Sequence, residues 1–192
     1  MKNDIIEVKV KGIIPTSRGC AVFLGNDDKI FTIYVDHSVG QAIAMFIQDT
    51  PKERPLTHDL IASIFMGLGV RVNYVIINEL KTNTYFARLI LQQENELGKK
   101  IIEIDARPSD SIALALQQKC SIYCAREVFD EVEDMTEVLR QMNETAAQKG
   151  GQENLFNLDT EEEEDEGGEE GKGGGEKGGP SKGPKGGKGP KA

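Results

Sequence analysis

Asp105, Arg107, Ser109 and Asp110 stand within six residues, at the foot of an apolar run that begins at Ile112. Asp105 and Arg107 are two apart, so an extended strand would send both to one face. Pro108 suits the first position of a helix, where its missing N–H costs nothing. Ser109 and Asp110 then fill the first turn, where the helix dipole favours a carboxylate by roughly 0.3–1 kcal/mol. Free N–H groups at such a start attract phosphate, and an arginine fork binds it through two hydrogen bonds. Two carboxylates suffice for Mg²⁺, which fills its remaining positions with water and substrate oxygens. The group therefore reads as a phosphoryl site, with Asp105 and Asp110 as catalytic carboxylates and metal ligands, and Arg107 and Ser109 as phosphate binders. The plainer reading makes Asp110 a cap and Arg107 its ion-pair partner. Spacing alone does not choose between them.

Arg54-Pro55-Leu56-Thr57-His58-Asp59 repeats these ingredients and adds a histidine. Here Arg54 is a second phosphate binder, His58 a general acid or base, and Asp59 a catalytic carboxylate or metal ligand. The bland alternative is a helix capped by Thr57 with His58 on its surface. If both junctions serve one phosphate, they must lie within ~15 Å, because clamp, base and metal act through direct or one-water contact.

Other chemistries find no support. The chain has no GxxxxGK[ST] loop and no GxGxxG after a strand, which argues against an NTPase or dinucleotide enzyme, and no GxSxG elbow. Glu7-Val8-Lys9 reads as alternating charge on a strand. Cys20, Cys120 and Cys124 lack companion metal ligands and read as small buried hydrophobes, reduced in a cytoplasmic protein. The N-terminus MKNDIIEVKVKG has no apolar signal core, and no run approaches a membrane span.

Of the chain's 21 glycines, 14 fall in residues 150–192. That stretch holds few bulky apolar residues, and its acids (Glu161–Glu170) are segregated from its lysines (Lys172–Lys191). It reads as a disordered, solvated extension. The preceding residues suffice for one folded domain. The net charge of −9, with no basic stripe in the body, argues against strong standing affinity for nucleic acid and leaves room for an enzyme that binds its substrate weakly.

Alternation and β-branched residues predict strands at 5–14, 21–24 and 30–35, with turn chemistry at Gly25-Asn-Asp. Ser38 and Thr57 are the expected caps of two amphipathic helices, the second ended by Gly67 and Gly69. A hairpin follows over 70–80 and 85–92, turning at Lys81-Thr-Asn-Thr84. A strand over 99–106 precedes the buried helix after Asp110, and a short strand occupies 121–124. Val132, Met135, Val138, Leu139 and Met142 predict a last amphipathic helix. Strands and helices do not alternate strictly, so the fold class is α+β: a mixed, mainly antiparallel sheet with about four helices. The expected organisation is an α+β domain over 1–132, the amphipathic helix within 133–149, and the tail over 150–192.

RPLTHDLIASIFMGLGVRVNYVIINELKTNTYFARLIL (54–91) and IEIDARPSDSIALALQQKCSIYCAREVFDE (102–131) resemble the bacterial bifunctional nuclease domain family. Its pattern runs R-P-x-T-H-D, then F-x-A-x-L, then I-D-A-R-P-S-D-A-I-A-L-A. The resemblance covers about 30 to 131. It implies an α+β domain that self-associates and acts on DNA and RNA. The motif residues carried over by position are Arg54, Thr57, His58, Asp59, Asp105, Arg107, Ser109 and Asp110. The chain departs from the family after the third strand: Asp36 replaces the usual glycine and Val39 the usual glutamate, leaving Asp36 or His37 to stand in for that acid.

Two functions compete. One is metal-dependent hydrolysis of phosphodiesters in DNA and RNA, with Mg²⁺ or Mn²⁺ on Asp105 and Asp110, Arg107 clamping the phosphate, and His58 or metal-bound water handling the proton. The other is a non-catalytic module that oligomerises through the apolar hairpin residues Val75, Ile76, Ile77, Tyr85 and Phe86. Caps need only one polar residue each, so the surplus at both helix starts favours the enzyme.

Overall fold

The strands predicted from alternation form, and most of them run longer than the pattern. The structure, a computed structural model, describes residues 4–96, 98–148 and 156–157. Strands β1 (Ile5–Thr16), β2 (Gly19–Gly25) and β3 (Ile30–Val35) make an antiparallel meander. The register of β1 slips between Val10 and Gly12. Its first half pairs with β7 (Ile122–Ala125) and its second with β2, as expected of a bulge that bends a strand from one partner to another.

Helices α1 (His37–Ile47) and α2 (Thr57–Gly67) lead into β4 (Val70–Lys81), β5 (Thr84–Asn95) and β6 (Gly98–Ala106). The β4–β5 hairpin turns on Thr82 and Asn83 at φ 48° and 60°, the double positive φ that matches the natural twist of paired strands. α3 (Pro108–Gln118) returns the chain to β7, followed by α4 (Arg126–Glu131) and α5 (Thr136–Gln148). The sheet order is β3-β2-β1-β7-β4-β5-β6, with β8 (Phe156–Asn157) added on β1. β4 and β7 pair in parallel, and the remaining pairs are antiparallel. This is the expected α+β class.

α3 is the keystone of the core. Ile112, Ala113, Leu114 and Ala115 are buried with Val75 and Ile77 of β4 and Leu89 and Leu91 of β5. Burying one Ile or Leu side chain contributes about 1.5–3 kcal/mol. α1 and α2 pack against α3 in turn. β2 is buried along its whole length because both faces are covered: Val22 and Leu24 join the main core, and Ala21 and Phe23 meet Leu139 of α5.

The structure corrects several expectations. The described residues form five helices, in line with the expected number of about four; the one without a sequence signal is α4, which spans only six residues, too short to show a period, and is held by buried Val128 and Phe129. The N-cap of α1 is Asp36, not Ser38, and that of α2 is Leu56, not Thr57. At α2 the carboxylate of Asp59 reaches back to accept the Leu56 N–H at 2.7 Å, which leaves the Thr57 hydroxyl no capping duty. Val75 and Ile77 of the hairpin are buried in the core and unavailable as an oligomer contact. The pair Phe156–Asn157 forms strand structure against Gly12 and Ile13 inside the stretch expected to be unstructured; the rest of the predicted tail, 150–155 and 158–192, lies outside the described residues. The described residues belong to one compact unit, Met1–Thr160. None of their helices is long and apolar enough to cross a membrane.

Cys20 and Cys124 are buried and Cys120 half-buried, all as free thiols. Burial pushes Cys120 up to about 11 and Cys124 up to about 12, which keeps both protonated and inert at neutral pH.

Candidate functional site

The packing of α2 on α3 brings the two polar helix starts together. His58, the second residue of α2, is buried at 7% exposure. Its Nε2 lies 3.4 Å from Asp110 Oδ1. The imidazole stands edge-on to Phe46 of α1, with centroids 6.0 Å apart, so it has both an apolar ring and a carboxylate as neighbours. The bland alternative, which left His58 on the helix surface, is thus overturned. The burial follows from its place on the face of α2 that meets the core helices.

Arg107 occupies the N-cap position of α3, and Pro108 takes the first helical position as predicted. The guanidinium donates to both oxygens of Asp110, Nε at 2.8 Å and Nη2 at 3.3 Å. Asp110 thereby raises the Arg107 pKa through these hydrogen bonds and its charge. Arg107 Nη1 also approaches Asp36 Oδ2 at 3.9 Å. Asp36 caps no N–H with its side chain, so its carboxylate is left free to face Arg107. Two carboxylates thus bracket one exposed guanidinium, with the buried imidazole behind Asp110.

Beside this cluster lies an open groove of about 820 Å³. Four chain segments meet there: the β1–β2 turn with Arg18, the end of β3 with Tyr34 and Asp36, the β4–β5 turn with Asn83, and the start of α3 with Arg107 and Ser109. Its charged lining residues are two arginines and one aspartate.

Other sequence candidates are placed differently. Asp59 is tied down: its oxygens accept from Lys52 Nζ at 2.7 and 2.9 Å, Leu56 N–H at 2.7 Å and Gln117 Nε2 at 2.5 Å. Burial pushes this carboxyl up, but the hydrogen bonds from Lys52, Leu56 and Gln117, with the Lys52 charge, outweigh it and hold Asp59 below the usual carboxylate value. Its geometry is that of a brace joining the loop before α2, the start of α2 and the end of α3. Asp105 pairs across the β5–β6 ladder with Arg88, while its neighbour Ile104 pairs with the core residue Leu89. Opposite residues in a ladder share a face, so Asp105 turns to the Arg88 side, away from the core that α3 covers. Among the described residues no hydrogen bond or ion pair joins it to His58 or Asp110. Arg54 and Thr57 are exposed and join neither cluster. Among the described residues no three His, Cys, Asp or Glu side chains are grouped to share one metal ion.

Sequence reasoning noticed Asp36 only as a departure and missed Arg18 and Tyr34. No local signal marks these two; the order of strands in the sheet delivers them to the groove.

The pattern of the bifunctional nuclease domain matches residues 22–137, which takes in β3, the α2 junction, the hairpin and the α3 junction. The chain belongs to the bifunctional nuclease domain family. It is 36% identical over 121 residues to the uncharacterized protein Rv1829 of Mycobacterium tuberculosis strain H37Rv, an overlap of 61% of this chain and 70% of that protein. The uncharacterized protein MT1877 of strain CDC 1551 matches with the same identity and coverage. Within the bifunctional nuclease domain of this chain, the His58–Asp110–Arg107 cluster is built entirely from the two motifs that carried the resemblance.

Proposed function

We propose that the domain hydrolyses phosphodiester bonds in DNA and RNA, using the His58–Asp110–Arg107 cluster and the groove beside it. The observation that carries this reading is the approach of His58 to Asp110 at 3.4 Å. It joins two polar helix starts that capping alone would leave independent.

Arg107 is the phosphate clamp. It is exposed, presents a planar fork, and stands where the first N–H groups of α3 also favour an anion. Ser109 in the same first turn adds a hydroxyl donor at the groove. The Asp110 side chain is 31% exposed, so it meets solvent and substrate, whereas His58 lies behind it. Asp110 is therefore the catalytic carboxylate, orienting water at the phosphorus. His58 is a positioning residue that holds Asp110 from the buried side, as carboxylates and imidazoles commonly hold one another.

The donors this site offers a divalent cation, Mg²⁺ or Mn²⁺, are Asp110 and Asp36, the two carboxylates on Arg107. Mg²⁺ characteristically uses one or two protein carboxylates and completes its shell with water and substrate oxygens, which fits this donor set. Bound there, it would supply Lewis acidity and a more acidic water. Cleavage of plasmid DNA and single-stranded RNA by the full chain, compared with Arg107→Ala, tests the reading. Equal cleavage by both proteins defeats it.

Self-association belongs to the same proposal, on a different surface from the one the sequence suggested. Leu60, Ile64, Met66 and Leu68, on and just after α2, are all exposed, and a second copy of the domain would cover them. Sedimentation of Met66→Lys with Ile64→Lys is expected to show smaller particles than the wild-type chain; unchanged sedimentation removes this surface as the contact.

A further inference from the structure

Tyr34 is the residue the proposed chemistry leaves unused. It sits on β3, the strand at the edge of the sheet, and its neighbours Ile33 and Val35 turn inward to the core. Tyr34 turns outward and is 73% exposed. Its side chain serves no packing purpose, yet it lines the groove that Arg107 and Ser109 also line. An exposed tyrosine beside a phosphate clamp has the form of a stacking platform for a nucleobase.

Arg18 completes the arrangement. It lies exposed at the tip of the β1–β2 hairpin, with its backbone N–H donating to Thr16 Oγ1 at 3.4 Å. Among the described residues no acidic side chain pairs with its guanidinium. In a chain of net charge −9, the groove is lined by two arginines and one aspartate; Arg107 is already bonded to Asp110, so Arg18 supplies the uncompensated positive charge. A volume of about 820 Å³ falls within the roughly 300–1,000 Å³ of clefts that enclose small ligands. That accommodates a short stretch of single strand, whereas the face of a duplex base is closed to a side chain by its stacked neighbours.

We infer that the groove selects single-stranded nucleic acid, with a base stacked on Tyr34 and the flanking phosphates taken by Arg18 and Arg107. The inference rests on the proposed phosphodiester chemistry for the role of Arg107, and narrows its substrate to unpaired segments. Stacking requires an aromatic face and tolerates any base, so recognition is by strandedness and not by sequence.

The test is fluorescence anisotropy of a labelled twelve-nucleotide single strand, and of the same sequence as a duplex, with the full chain in EDTA. The wild-type chain is expected to bind the single strand more tightly than the duplex. Tyr34→Ala is expected to weaken single-strand binding roughly 5- to 100-fold, and Tyr34→Phe to keep it within about twofold. Arg18→Ala should lower affinity and reduce the salt slope by about one. The chain has no tryptophan, so Tyr34→Trp adds a single probe whose emission a stacked base should quench. Single-strand binding unaffected by Tyr34→Ala, or equal binding of duplex, overturns the inference while leaving hydrolysis intact. Binding of neither form overturns it as well. Single-strand binding lost in Tyr34→Ala by a wild-type chain that cleaves nothing would uphold the groove and sink the hydrolysis.

Discussion

His58 Nε2 and Asp110 Oδ1 lie 3.4 Å apart, although the two residues open different helices and belong to different sequence motifs. The contact exists because α2 packs on α3 with both N-termini at one end of the core. It divides labour between an exposed side, Arg107 and Asp110, and a buried side, His58 against Phe46. That division orders the effects expected of substitutions.

Arg107→Ala removes two hydrogen bonds to Asp110 and the fork facing the groove. Cleavage is expected to fall about 10²-fold or more, the scale of losing one transition-state donor. Arg107→Lys keeps the charge and loses the fork, so it should recover only part of the rate. Full activity in Arg107→Lys would show that charge alone suffices.

His58→Asn acts through Asp110 and through packing. The buried ring is lost from beside Phe46, so unfolding free energy should drop by about 1–3 kcal/mol. The turnover number should fall roughly 10- to 100-fold with KM little changed, the effect expected if His58 has the proposed positioning role behind Asp110. A large rise in KM at unchanged kcat would instead put His58 in contact with substrate.

Asp59 predicts a pH signature in stability. Its folded pKa is held below the ordinary value of 3.8, so the carboxylate stabilises the fold at pH values above the unfolded pKa. That contribution is lost as pH falls through the lower folded value. Denaturant unfolding of Asp59→Asn against wild type should show a deficit of about 1 kcal/mol at pH 6–7, shrinking below pH ~4. A deficit that grows in acid would contradict the assigned hydrogen bonds.

Gly40 is a contact point and not a hinge. A Cβ there would run into Cys20 Sγ and Cβ, so α1 lies on β2 with no room between them. Gly40→Ala gains about 1 kcal/mol in helix propensity, but overpacking costs about 1–3 kcal/mol. A net loss of melting temperature is expected, partly recovered by adding Cys20→Ala. A stabilised single variant would show that the helix can lift off freely.

The limits of reading the sequence follow from where the information lies. Strands β1 to β6 and the start of α3 at Pro108 were legible because alternation, turn residues and proline act locally. α4 was not, because six residues carry no period. Two-residue spacing shows that Asp105 and Arg107 share a face only while the strand continues, so the sequence alone left the direction of Asp105 open. The strand ends at Ala106, and its pairing with Arg88 decides which way Asp105 turns. Asp36 reached Arg107, and Arg18 and Tyr34 reached the groove, through the order of strands in the sheet. No pattern within any one segment encodes that order.

The most direct test of the central claim is cleavage of single-stranded DNA and single-stranded RNA by the purified full chain, with Mg²⁺, with Mn²⁺ and with EDTA. Asp110→Asn, shown to be folded by its circular dichroism and melting, is run beside it. Metal-dependent cleavage by the wild-type chain, reduced at least about 10²-fold in the variant, is the predicted result. Equal cleavage by both proteins, or none by either, would contradict a phosphodiesterase centred on Asp110.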